Sequence, residues 1–157
     1  MARRFTGWMN WTNRGSLPGL SYPGVYVLAI SSTDLAGACF SWRPEIVYIG
    51  MTNAKGGLKG RLGQFDNTIK GKDGHGGAQR VRVRHPDYAR LVRRLYVAVD
   101  AFPCEVASEN PGDLRIMGQV AQHEYECLAM FAERFSGLPE FNDKRRSPKG
   151  RRSGIET

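Results

Sequence analysis

Long apolar runs are missing from this chain. Nowhere do its residues approach the ~20 consecutive apolar positions that a membrane-spanning helix requires, so no membrane partner is expected. The opening stretch "MARRFTGWMNW" has two arginines but no apolar segment behind them, which argues against a secretory signal and for a cytoplasmic location. Cysteine is scarce. Cys39, Cys104 and Cys127 are odd in number and far apart, and they form no C-x-x-C pair and no zinc set with the three histidines. Neither a disulfide framework nor a structural metal is expected, and the three read as small buried or half-buried apolar residues.

Acidic residues are also in deficit. Fifteen Asp and Glu stand against 23 Lys and Arg, leaving a net charge of +8. Such an excess favours a polyanionic partner, and the lack of a long basic amphipathic helix points to nucleic acid rather than a membrane surface. The positive charge gathers in "RVRVRHPDYARLVRR" (80–94) and "KRRSPKGRR" (144–152), with Lys55, Lys59, Arg61, Lys70 and Lys72 ahead of them. Arg80, Arg82 and Arg84 alternate, so they share one face if the segment is extended. There, with Lys59, they would track phosphates in a sequence-independent, salt-sensitive way.

What is present fits one domain. Residues 1–20 read as an N-terminal arm that lays Trp8 and Trp11 on the body, 21–143 as the domain, and 144–157 as a basic, flexible tail. "PGVYVLAI" and "EIVYIGMT" read as strands, joined by a loop too long for a tight hairpin and paired antiparallel as sequential neighbours. Leu58, Leu62 and Phe65 make one stripe of a short, glycine-weakened helix. "GKDGHGG" (71–77) reads as a loop, and Pro86 as the first turn of a helix reaching about Arg94. "LYVAVDAF" alternates as a third strand. A long helix is expected over about 114–135, with Val120, Ala121, Cys127, Leu128, Phe131 and Phe135 on its apolar side and Gly137 ending it. The predicted class is α+β, a small, mostly antiparallel three-stranded sheet flanked by helices.

Two strands each set a tyrosine near a glycine: Gly24-Val25-Tyr26 and Tyr48-Ile49-Gly50. Followed by "LKGRL", a later helical glutamate and "PEFN", they resemble the GIY-YIG nuclease family over roughly residues 23–142. The resemblance implies a metal-dependent DNA endonuclease of restriction or phage type. Tyr26 would be the base that activates water, with Tyr48 supporting it by hydrogen bonding or proton relay. Arg61 would grip the scissile phosphate, and a helical glutamate would hold Mg²⁺ or another divalent cation. Asn142 would be the closing asparagine that braces the site.

The chemistry suits those residue types. Phosphodiester hydrolysis needs a deprotonated water and stabilised phosphate charge. A phenol, with an ordinary pKa near 10, serves as a base only where cations and hydrogen bonds favour its phenolate. A guanidinium fork fits the non-bridging oxygens, and one carboxylate with several waters suits Mg²⁺. Glu124 has apolar residues at three, four and seven positions beyond it, whereas Glu126 does not, so helix phase favours Glu124 and keeps Glu126 as the alternative. His75, read as an accessible imidazole among glycines, is a further candidate for phosphate contact or proton transfer. His85 and His123 are expected only beside a helix cap and on a helix side. One site per chain cuts one strand most simply, so a homodimer is the direct route to a double-strand cut. A non-cleaving nucleic-acid-binding module on the same fold is the alternative function, and a basic adaptor for an acidic protein is a third.

Overall fold

Strand β2 (Gly24–Ile30) runs through the middle of the sheet and is buried at every position but its last. The structure, a computed structural model that describes residues 4–142, pairs it antiparallel with β3 (Ile46–Thr52) on one side. On the other side it pairs antiparallel with β4 (Leu95–Ala101). A fourth strand, β1 (Met9–Asn10), pairs antiparallel with β4, giving the order β1-β4-β2-β3. The α+β class stands, but with four strands where three were expected. The added strand is two residues long, too short to carry an alternation signal, and the N-terminal arm supplies it. Trp8 and Trp11 of that arm are buried, as their bulk requires. A 3-10 helix, Trp11–Ser16, follows, capped by Asn10, whose side chain accepts from Thr12 N. The expected basic tail, 144–157, lies outside the described residues.

Alternation along β2 sorts its side chains into two cores. Tyr26 and Leu28 face one side, with Leu58, Leu62, Phe65 and Ile69 of α1 (Gly57–Lys70), Ala78 and Val81 of α2 (Gly76–Arg84), and Leu91 of α3 (Tyr88–Val92). Val25, Val27 and Ala29 face the other, with Val120, Cys127, Leu128 and Phe131 of α4 (Pro111–Phe135). Helices on both faces explain why β2 reads as a nearly unbroken apolar run despite being antiparallel.

Several local expectations are corrected. The loop after α1 ends at His75 rather than Gly77, because His75 caps α2. Residues 80–84 are therefore helical and not extended, so Arg80 and Arg84 share a face while Arg82 turns away. Helix α3 begins at Tyr88, with Asp87 rather than Pro86 at its start: the Asp87 side chain accepts from Arg90 N. Helix α4 starts three residues early, where Asn110 caps it and Pro111 takes the first turn. Ser136, not Gly137, takes the left-handed conformation that closes it. Cys127 is buried and Cys104 half-buried, but Cys39 is exposed. No described helix is long and apolar enough to cross a membrane.

Candidate active site

Cross-strand register brings the two tyrosines together. Tyr26 pairs directly with Gly50, and Tyr48, two residues from Gly50, shares its face. The phenol of Tyr26 fills the space a Gly50 side chain would occupy: a Cβ there would stand 2.5 Å from its hydroxyl. The two rings lie 6.0 Å apart, centre to centre. Gly24 has a different reason, since a Cβ there would strike the Asp100 carbonyl of β4. One glycine thus makes room for the Tyr26 phenol and the other for a neighbouring strand.

Helix α2 points its N-terminus at this pair. His75, expected to be accessible, is 2 % exposed, and its Nε2 stands 2.8 Å from the Tyr26 hydroxyl. Its Nδ1 accepts from Ala78 N at 3.2 Å, the cap bond that starts the helix. An Nδ1 that accepts must leave the ring proton on Nε2, so His75 donates to the Tyr26 oxygen. Burial first, then the charges of Arg61 and Arg80, lower the His75 pKa to about 3, keeping the ring neutral. The second glycine of the turn has a packing role: a Cβ on Gly77 would collide with the Tyr48 ring.

Electrostatics set the resting state. Burial, then the neighbouring Tyr48, push the Tyr26 pKa well above its ordinary value. The Arg61 guanidinium opposes that rise by its positive charge. Tyr48 is likewise raised, by burial first, against the lowering charge of Arg61. Both phenols are therefore protonated near neutral pH, and the tyrosine pair alone does not supply a phenolate. Arg61 projects from α1, half-buried, with Nη1 donating to Gln64 Oε1 at 2.9 Å and a buried Nε that has no hydrogen bond.

Of the two candidate glutamates, Glu124 is half-buried and its charge is felt at both Tyr26 and Tyr48. Glu126 is exposed and lines a different cavity with Phe102 and Gln119. Among the described residues no three His, Cys, Asp or Glu side chains form a metal-holding group. A single carboxylate can still serve Mg²⁺, which keeps much of its water.

Asn142 is held against the outer edge of β3. Its side chain accepts from Ile49 N and donates to Ile49 O, both at 2.9 Å, while Phe141 N donates to Val47 O at 3.0 Å. This brace sits between Tyr48 and Gly50. Arg80 completes it by donating twice to Phe141 O, at 3.0 and 2.8 Å. Arg84 pairs with Glu140 at 3.0 Å, Arg82 is half-buried, and Lys59 is exposed. The three arginines therefore do not form one strip, and Arg80 braces the chain. Sequence reasoning missed that role and those of Gly77 and the Ala78 amide. The only available signal was the spacing His75 to Ala78, that of a cap to its third helical residue, and histidine is not a preferred cap. His85 closes α2 and His123 meets Asp100 from α4, in keeping with their expected places.

No family model matches the chain, and no curated protein or solved structure does either.

Proposed function

We propose that this protein is a metal-dependent DNA endonuclease of the GIY-YIG type, hydrolysing phosphodiester bonds in a restriction or phage setting. The observation that carries the proposal is Tyr26, buried over Gly50, receiving a hydrogen bond from His75 Nε2 and lying within the field of the Arg61 charge. The donor and the charge both favour the phenolate that a water-activating base must become. A phenol kept neutral at rest acquires basicity only when further positive charge arrives. A divalent cation on Glu124 would supply that charge and also neutralise the developing phosphate oxyanion. Arg61, with a buried Nε lacking a partner, has donor capacity left for a phosphate oxygen. Tyr48 orients Tyr26, and Asn142 with Arg80 holds the strand that bears Tyr48. DNA is the partner, attracted by the net +8 charge, and a dimer would serve a double-strand cut.

The test is supercoiled plasmid incubated with the protein in Mg²⁺ or in EDTA, beside Glu124→Ala and Glu126→Ala. Nicking that needs metal and is lost only in Glu124→Ala is expected. DNA binding without cleavage on every substrate would favour the non-cleaving module. Loss in Glu126→Ala alone would move the metal to the other carboxylate.

A further inference from the structure

The sheet's other face carries a cavity distinct from the tyrosine cluster. It encloses about 600 Å³ and is lined by the N-terminal arm, the segment joining β2 to β3, and α4. That size falls within the range of small-molecule sites, roughly 300–1,000 Å³. Its walls are flat rings. Phe5 and Phe40 stack at 4.4 Å, Trp42 meets Phe40 edge-on at 5.1 Å, and His123 lies 25° from the plane of Phe5. These four are half-buried rather than sealed and line the cavity, and exposed Arg4 lines it too.

His123 carries the polar chemistry. Its Nε2 stands 3.0 Å from Asp100 Oδ2, whose side chain is buried. The carboxylate accepts, so Nε2 carries a proton directed at Asp100. Cys127 Sγ lies 3.8 Å from the same Nε2, so thiol and carboxylate compete for one ring atom and no relay forms. Burial, then the charge of Asp100, raises that thiol to about 12, which excludes nucleophilic attack. The cavity is built to bind.

We propose that it takes a nucleobase, stacked on the aromatic wall, with the attached phosphate met by Arg4. A cavity lined by half-buried aromatic rings next to a guanidinium suits a flat heterocycle carrying negative charge. The base could come from a free nucleotide or from an unpaired strand, and the cavity's chemistry is the same for both. This site does not rest on the hydrolytic reading of the other face.

The test uses the full chain and tryptophan fluorescence. Trp8 and Trp11 are buried at 1 % and 0 % exposure, so quenching reports on Trp42. AMP, adenosine, inorganic phosphate and a single-stranded oligonucleotide are titrated separately. Saturable quenching by AMP, weaker quenching by adenosine and none by phosphate are expected. An oligonucleotide binding more tightly than AMP assigns the base to a strand, and the reverse order assigns it to a free nucleotide. By calorimetry, Trp42→Leu should bind AMP about tenfold more weakly. Arg4→Ala should lose about fivefold for AMP and nothing for adenosine. Tyr26→Phe should bind AMP as wild type does. Absence of a saturable response to both AMP and oligonucleotide would overturn the site. A dimer abolished by Trp42→Leu would also overturn it, by giving the cavity to a second copy of the chain.

Discussion

The Tyr26 hydroxyl and His75 Nε2 lie 2.8 Å apart in the buried layer between β2 and α2, and the direction of that bond is set from behind. The Ala78 amide occupies Nδ1, so the imidazole can only donate to the phenol. His75→Ala should therefore remove both a donor to Tyr26 and a helix cap. The cap alone is worth about 1 kcal/mol, read by urea unfolding. Nicking should fall by about 10²-fold or more, in keeping with an acid–base element. Activity that stays near wild type would show that Tyr26 does not need this donor.

His75 also predicts a pH effect on stability. Its folded pKa of about 3 lies below the ordinary 6.5, so the unfolded chain binds a proton that the folded chain does not. The stability contributed is complete above pH 6.5 and is lost as pH falls towards 3. Urea midpoints measured between pH 7 and pH 4 should fall, and fall less steeply in His75→Gln.

A second acid-sensitive lock sits at Asp66, on the opposite flank of α1. Its Oδ1 accepts from Trp11 Nε1 at 2.8 Å and from the Tyr88 hydroxyl at 2.7 Å. Its Oδ2 pairs with Lys70 at 3.0 Å and Arg14 at 3.2 Å. Burial alone would raise this carboxylate, but the hydrogen bonds from Trp11, Tyr88 and Lys70 and the charge of Arg14 hold it below the usual range. Its stabilisation is present above the ordinary carboxylate pKa and is lost as pH drops through the lowered one. Asp66→Asn should cost about 3 kcal/mol at neutral pH by urea unfolding. Loosening of the N-terminal arm should show as a red shift in tryptophan emission.

Gly50 of β3 and Gly60 of α1 should respond oppositely to alanine. Gly50→Ala drives a methyl into the Tyr26 hydroxyl and should cost about 1–3 kcal/mol, and cleavage with it. Gly60→Ala meets nothing within 4 Å and should stabilise the chain by about 1 kcal/mol. Equal effects in thermal melts would mean that the space over Gly50 is not reserved for the phenol.

Much of this arrangement was legible in the residues. β2 and β3 announced themselves by apolar, β-branched runs and β4 by alternation, and the Leu58–Leu62–Phe65 stripe marked α1. The phase of α4 set Glu124 apart from Glu126, and the structure gives Glu124 the side on which its charge reaches the tyrosines. The start of α2 was not legible, because "HGGAQ" has the glycine content of a loop. Its helix depends on the His75 side chain capping Ala78 and on Gly77 fitting beneath Tyr48, both tertiary facts. For the same reason Arg80, Arg82 and Arg84 looked like an extended strip, although Arg80 spends its donors on Phe141 O. β1 was hidden by its length alone.

The phenol of Tyr26 is the atom group on which the proposed chemistry turns. Single-turnover nicking of supercoiled plasmid by Tyr26→Phe, in Mg²⁺ and beside a DNA-binding measurement, addresses it directly. Phenylalanine keeps the ring over Gly50 and deletes only the oxygen that His75 holds. Cleavage lost by about 10²-fold or more with DNA binding retained is the expected result. A variant that nicks at the wild-type rate would contradict a role for Tyr26 as the base.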